Sequence, residues 1–325
     1  MSTGPSRVAV VEDWPEPSCG PDDVVVEMDG VGLCGSDLAV AEGRRAVPRQ
    51  PWVLGHEGGG RVVAAGSRVT RRRPGQTVVV EPNYPCLACG ACEAGTSSSC
   101  ARREILGINR DGIAAERVAV PARFTWPVPD GTPVATLACF EPWVVTRTAL
   151  RRVPRVRDLA CLVVGAGSQG LLLVVSLVAA GALPYVVEPH AGRRALAERL
   201  GARPLESGPE HFPLLFETSG APDAFGPTLA RAAPGASVVL IGQSSVPVTL
   251  TTEHLVQRQI HLYGSLIYDH PRDFEAAADT LALGAQPLAD VVQAGFTPED
   301  ADDAFAAARS VPGKSWLDLR AWRRP

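Results

Sequence analysis

Four cysteines stand close together as Cys86, Cys89, Cys92 and Cys100, in the spacing C-x2-C-x2-C-x7-C. Thiolates are soft donors, and four so near in sequence can wrap one tetrahedral Zn2+ and leave no position open. The surrounding segment is rich in Gly, Ala and Ser and nearly lacks apolar side chains, so metal binding must supply its folding energy. Two disulfides would use the same residues, but they need an oxidising compartment, and no export signal is visible at the N-terminus.

A second group mixes donor types. Cys34-Gly35-Ser36-Asp37 and Gly55-His56-Glu57-Gly58 bring a thiolate, an imidazole and a carboxylate in glycine-rich stretches, and Glu141-Pro142 adds another carboxylate. Three protein ligands with one position left open is the arrangement of a catalytic zinc. Taken singly these residues are unremarkable, because a lone Cys is usually a small buried hydrophobe.

The third group handles phosphate. Leu162-Val163-Val164 runs as an apolar strand into Gly165-Ala166-Gly167-Ser168-Gln169-Gly170, a G-x-G-x-x-G turn opening a helix. The first glycine permits the tight turn, the second lets backbone approach a pyrophosphate, and the third lets helix pack on strand. The pyrophosphate then sits at the positive end of the helix beginning near Ser168. Glu188 closes the next strand about twenty residues on, where an acid binds the adenosine ribose. That carboxylate favours NAD over NADP, while Arg193 and Arg194 lie near enough to contact adenine or a phosphate, or to face solvent.

The elements that must position these groups fall into two textures. Short β-rich runs come first: Val8–Val11, Asp23–Met28, Arg61–Ala65, Thr77–Glu81 and Ala115–Val120, divided by Gly and Pro. They predict a partly closed antiparallel barrel. From Leu159, apolar strands alternate with helices: Leu159–Val164, Leu171–Ala180, Tyr185–Val187, Arg193–Leu200, Leu214–Glu217, Ala221–Ala233, Ser237–Ile241 and Gln259–Gly264. Such alternation predicts a parallel sheet. The span from Gly201 to Phe216 is compressed and predicts a shortened or missing crossover helix. Helices at Asp273–Leu283 and Pro298–Ala308 and a strand at Ser315–Leu319 follow.

On these motifs and their order, the chain resembles the zinc-containing medium-chain dehydrogenase/reductase family over essentially its whole length. It is most similar in pattern to the polyol (sorbitol-like), threonine and aminocyclitol dehydrogenases, with Glu141 where other branches carry cysteine and Glu81-Pro82 ahead of the four-cysteine lobe. The resemblance implies an α/β fold: a GroES-like barrel domain over 1–145 with a structural zinc lobe at 83–101, a Rossmann domain over 146–266, and a return to the first domain over 267–325. It implies Cys34 and His56 as ligands of a catalytic zinc. The third is either Glu57, with Glu141 bonded to the zinc-bound water, or Glu141 itself. Asp37 matches the aspartate that fixes the histidine ring, and Ser36 the hydroxyl that takes the substrate proton. Many relatives carry a histidine shortly after the first motif as an outer proton relay. Here Leu38-Ala39-Val40 follows, and a water chain past Glu57 is the expected substitute.

The expected activity is hydride transfer between a secondary alcohol (a polyol, aminocyclitol or sugar-like hydroxyl) and a nicotinamide, with two Zn2+ per subunit. A redox-neutral epimerase or lyase with tightly bound NAD, or a non-catalytic relative, are the alternatives. Trp52, Tyr84, Trp143 and Tyr268 are candidates to line a pocket, although buried aromatics are more often plain core.

Composition sets bounds on partners. The 325 residues suffice for two domains, and a net charge of −4 gives no reason to expect nucleic acid or an anionic membrane. Lys314 is the only lysine among 31 lysines and arginines, which reads as codon bias. Eight cysteines without a secretion signal predict a cytoplasmic protein. The strand at Gln259–Gly264 is expected near a sheet edge that pairs with a second subunit, giving a homodimer or homotetramer.

Overall fold

A computed structural model describes residues 1–4, 7–284 and 286–322. The chain divides into two compact units, Met1–Glu141 with Asp269–Pro325, and Pro142–Tyr268. It passes from the first to the second within the helix Val134–Leu150.

In the first unit the long strand Asp23–Gly32 is the spine. Its run of β-branched valines favours extended backbone, and Val24, Val26 and Val31 are fully buried. Glu57–Ala65 pairs antiparallel along one edge. The other edge is shared: Arg117–Pro121 pairs with its first half, and Lys314–Asp318 with Gly30–Gly32 at its end. Thr77–Val80 and then Thr125–Pro127 extend the sheet beyond Glu57–Ala65, and Val292–Phe296 flanks Lys314–Asp318 in parallel. The seven strands enclose one apolar core that includes Val62, Val78, Val80, Ile113, Phe124 and Leu317.

The second unit is a six-stranded parallel sheet. Its spatial order is Arg203–Pro204, Leu183–Val187, Ala160–Val164, Phe212–Glu217, Ala232–Leu240, His261–Gly264. The order reverses between Ala160–Val164 and Phe212–Glu217, which makes a topological switch point at the carboxyl ends of these strands. The helix Ser168–Ala179 is apolar nearly all round, and Leu171 to Val175 and Leu177 are each at most 2 % exposed. A helix this apolar is buried along most of its length, with Val178 exposed near its end, and truncating one of the buried leucines to alanine costs roughly 2–5 kcal/mol.

The barrel-plus-Rossmann expectation is borne out, with local corrections. The crossover after Arg203–Pro204 has shrunk to one 3-10 turn, Leu205–Ser207, as the short span demands. Gln259 is not in a strand. It is the left-handed C-cap, φ 54°, of a helix Thr252–Arg258 whose N-terminus Thr251 caps by accepting from the His254 N–H. The edge strand therefore begins only at His261. Of the expected strand Val8–Val11, Val8 alone is in a strand, Arg7–Val8, which pairs with Ser2–Gly4. Ala221–Ala233 divides into a 3-10 turn, a six-residue helix Phe225–Ala230 and the start of the next strand. No helix among the described residues is long and apolar enough to cross a membrane.

Candidate active site and metal centres

Cys34 ends the spine strand's continuation and is the N-cap of the short helix Gly35–Ala41. Asp37, three residues on, reaches back to accept the Cys34 N–H at 3.2 Å, a capping-box contact that fixes the turn. Its other oxygen accepts the Gly55 N–H at 3.0 Å and faces Nδ1 of His56 at 3.3 Å. One buried carboxylate thus orients both motifs. Gly55 is left-handed, φ 87°, which a side chain would disfavour, and this turn delivers His56 beside Cys34.

Donor atoms of Cys34, His56 and Glu57 all lie within 4.8 Å of one another. With Nδ1 on Asp37, Nε2 is the histidine nitrogen left for a metal, and Ser36 Oγ stands 3.4 Å from it. Burial tends to raise the Asp37 pKa, but the His56 ring and the Gly55 and Cys34 N–H groups hold it below the usual carboxylate range. Burial opposes charge on His56, yet Asp37 and Cys34 together raise its pKa well above the ordinary imidazole range. A soft thiolate, an imidazole and a carboxylate, oriented from behind, fit Zn2+ with a position to spare. Glu141 is buried but stands outside this group of three.

Glu57, past which a water chain is expected, has a buried cationic partner. Oε2 of Glu57 pairs with Nζ of Lys314, which is 1 % exposed and also donates to the Leu33 carbonyl at 3.1 Å. Burial works against the ammonium, but Glu57 and Cys34 outweigh it and its pKa is raised. Nearby, burial pushes the Cys139 thiol up to about 12, with Lys314 opposing, so this cysteine stays protonated. Sequence reasoning passed over Lys314, although its being the sole lysine was a signal.

The four-cysteine lobe brings Cys86, Cys89, Cys92 and Cys100 within the same 4.8 Å limit. The Cys89 and Cys92 sulfurs are 3.5 Å apart, and the Cys86 N–H donates to the Cys100 sulfur at 3.4 Å. The Ala88 N–H draws the Cys86 thiol down to about 6, while desolvation pushes Cys92 up to about 11. Cys86 and Cys92 are thus pushed in opposite directions, and a dication bound by the four sulfurs would remove that conflict. Leu87 holds φ 57°, a left-handed conformation rare for leucine, to turn the first two cysteines inward. The lobe is moored at Asp269, which accepts the Ser98 N–H at 2.9 Å, and at His270, whose N–H meets Ser97 Oγ at 2.7 Å. The His270 ring in turn pairs with buried Glu81 at 2.9 Å, and Glu81 also accepts from the Trp126 indole.

In the second unit, Gly165 is left-handed, φ 91°, and a Cβ there would stand 2.9–3.1 Å from Ser219. A Cβ on Gly170 would strike the Gly165 carbonyl. Gly167 is different: a Cβ there meets nothing within 4 Å, and it caps the Ser168 helix without a side-chain hydrogen bond. Uncapped N–H groups beside an open glycine fit a pyrophosphate. Gln169 occupies the first turn of that helix. Glu188 accepts the Ala166 N–H at 2.8 Å and the His190 N–H at 2.9 Å, so it braces the glycine turn. Arg194 folds back onto the Glu188 carbonyl, and the Arg193 N–H is capped by His190 Nδ1. Thr218 went unnoticed in the sequence; its hydroxyl is 2.9 Å from the carbonyls of both Val164 and Gly165 and pins the turn from below.

The pocket aromatics are core. Trp52 is buried with its indole donating to the Gly107 carbonyl, and Tyr84 stacks on Phe124 at 4.3 Å. Trp143 and Tyr268 are 1 % and 2 % exposed.

Comparison with known proteins agrees with this geometry. Residues 20–130 match the family model of the alcohol dehydrogenase GroES-like domain, and residues 170–282 match that of zinc-binding dehydrogenases. An L-threonine 3-dehydrogenase of Streptomyces avermitilis is 33 % identical over 94 % of each chain. Galactitol-1-phosphate dehydrogenase of Escherichia coli superposes with TM-score 0.89 at 26 % identity, covering 98 % of this chain and 99 % of that one. A zinc-binding dehydrogenase structure from Sinorhizobium meliloti, bound to NADP, gives 0.87 at 28 % identity and covers 98 % and 97 %.

Proposed function

This chain belongs to the zinc-dependent alcohol dehydrogenases of the medium-chain type, and from that premise we propose how its residues divide the work. Zinc bound by Cys34, His56 and Glu57 supplies a Lewis acid toward an alcohol, and a nicotinamide supplies the hydride acceptor. Asp37 faces the far nitrogen of the His56 ring, so Nε2 is the nitrogen that would meet a metal. Ser36, beside that nitrogen, takes the proton of the substrate hydroxyl. Glu57 is the third ligand in this reading, because its oxygen joins the compact donor group and Glu141 does not. Cys86, Cys89, Cys92 and Cys100 hold the second zinc.

Gly165, Gly167, Ser168, Gln169, Gly170, Glu188 and Arg193 hold the dinucleotide. A carboxylate at the strand end repels a 2′-phosphate, which favours NAD, although Arg193 and Arg194 lie beside it. The substrate class is a secondary hydroxyl on a polyol, aminocyclitol or sugar-like molecule, supported by relatives named for threonine and a sugar-alcohol phosphate. The strand His261–Gly264 ends its sheet, and unpaired edges invite a second strand, which supports a homodimer or a tetramer built from dimers. Five cysteines grouped for metal rather than paired in disulfides support a reducing, cytoplasmic setting.

The donor group Cys34–His56–Glu57, with Asp37 behind it, carries the proposal. Purified protein should contain two zinc ions per chain. It should also release NADH in proportion to alcohol consumed when cyclitols, polyols and amino alcohols are screened. Product without net NADH would point instead to a redox-neutral reaction, and no turnover with any alcohol would defeat the assignment.

A further inference from the structure

Every cation in this chain except one is arginine, and the exception is buried at the candidate metal centre. A Cβ on Gly32 would collide with the Lys314 Cε, Glu57 Oε2 and the Ala138 carbonyl, so the ion pair fills a slot that the glycine leaves. A planar guanidinium is wider than an ammonium and presents its donors in a rigid fork. The residue type here is set by the site, and codon bias alone does not explain it.

Lys314 touches two donor-bearing segments at once. Its ammonium donates to the carbonyl of Leu33, next to Cys34, and pairs with one oxygen of Glu57. A buried carboxylate must be compensated, and with the metal absent the ammonium does this. When a dication arrives, it and the ammonium compete for one negative charge.

We propose that Lys314 is a positioning residue of the catalytic zinc centre, holding one Glu57 oxygen so that the centre binds zinc less tightly than its donors alone would. The carboxylate then has one oxygen left to offer a metal, and the buried ammonium makes the site one formal charge more positive than its donors alone would. This rests on the zinc reading above and goes beyond it. Removing the ammonium leaves the dication as the only compensation, so the metal should be held more firmly while the metal-free fold weakens.

The test compares the wild type, Lys314→Met, Glu57→Gln and the double variant, each as the full chain. Zinc affinity is read by competition with a chromophoric chelator, with the four-thiolate ion as internal reference. Lys314→Met should hold the catalytic zinc on the order of tenfold more tightly, with the lobe's ion unchanged. The double variant should match Glu57→Gln, since the lysine acts only through the carboxylate. A Lys314→Met chain that folds only when zinc is supplied also supports the proposal. Unchanged or weaker zinc binding overturns it, as does a lysine effect that persists in the Glu57→Gln background. If neither Lys314→Met nor the double variant folds even with zinc, Lys314 is a packing residue and the proposal falls. A wild type that binds only the lobe's ion defeats the zinc reading itself, whereas two ions with a silent Lys314→Met defeat this inference alone.

Discussion

The two metal centres reach their donor sets by opposite routes. In the lobe the four sulfurs come from one short segment, three of them partly exposed, with little apolar material to hold them. At the other centre the donors come from two separated stretches of chain, one at a helix N-terminus and one entering a strand, and His56 and Glu57 are buried. Asp37, Gly55, the helix at Gly35–Ala41 and Lys314 fix those donors through backbone hydrogen bonds and a buried ion pair. We propose that the lobe depends on its metal for its shape, whereas hydrogen bonds and packing shape the second centre. A structural zinc and a reactive one differ here less in ligand chemistry than in which partner does the organising.

That contrast can be broken most sharply by removing one thiol from each centre. Cys34→Ala should cut turnover by on the order of 10³-fold or more while leaving thermal stability nearly unchanged. Cys92→Ala should instead open the lobe, seen as new protease cleavage between residues 83 and 101, with the catalytic zinc still bound. Equal effects of both variants on stability would erase the distinction.

Asp37→Asn tests the prefolded side. It keeps the shape of the residue but removes the charge that aligns His56, and should weaken catalytic zinc binding by about 10–100-fold. Titrating metal into the variant and the wild type measures this directly, and the lobe's affinity should not move.

Proton linkage distinguishes the centres next. The His56 pKa is raised, so metal-free protein at neutral pH holds a proton that zinc must displace. Affinity at that centre should therefore rise with pH, by up to about tenfold per unit, until the raised pKa is passed. In the metal-free protein the same raised pKa lends stability that is complete below the free-histidine value of about 6.5 and lost as pH climbs through the folded value. Calorimetric zinc titrations in buffers of different ionisation enthalpy report the released proton. A flat pH profile at the catalytic centre would count against the Asp37–His56 coupling.

The smallest effect belongs to Leu87. Its left-handed backbone is strained, and the side chain is 42 % exposed, so Leu87→Gly removes strain without opening the core. The lobe should resist chelators slightly better, by about 1 kcal/mol or less, with kinetics unaffected.

Local patterns were readable where the chemistry is local. The four-cysteine spacing, the strand-to-glycine turn at Val164–Gly170 and the Cys34 and His56 motifs each carry their geometry within a few residues. What escaped was long-range. Nothing near Glu57 announces Lys314, and nothing near Gly165 announces Thr218, because sheet pairing brings each into place. The helix Thr252–Arg258 escaped for another reason: at seven residues it shows too little periodicity, and its Thr251 cap is the better clue. The aromatics fall where the sequence reading weighted them, since Trp52, Tyr84, Trp143 and Tyr268 are all buried and large side chains fill cores more often than they line pockets.

The closing strand Lys314–Asp318 has a consequence for how the molecule comes into being. Lys314 meets Leu33 across 281 positions of chain, with the whole Rossmann unit threaded between them. Elongation by a ribosome delivers the dinucleotide-binding half complete while the barrel still lacks a strand beside Gly30–Gly32. Until that strand docks, Glu57 has no counter-ion, and a metal encountered early would meet a carboxylate not yet restrained.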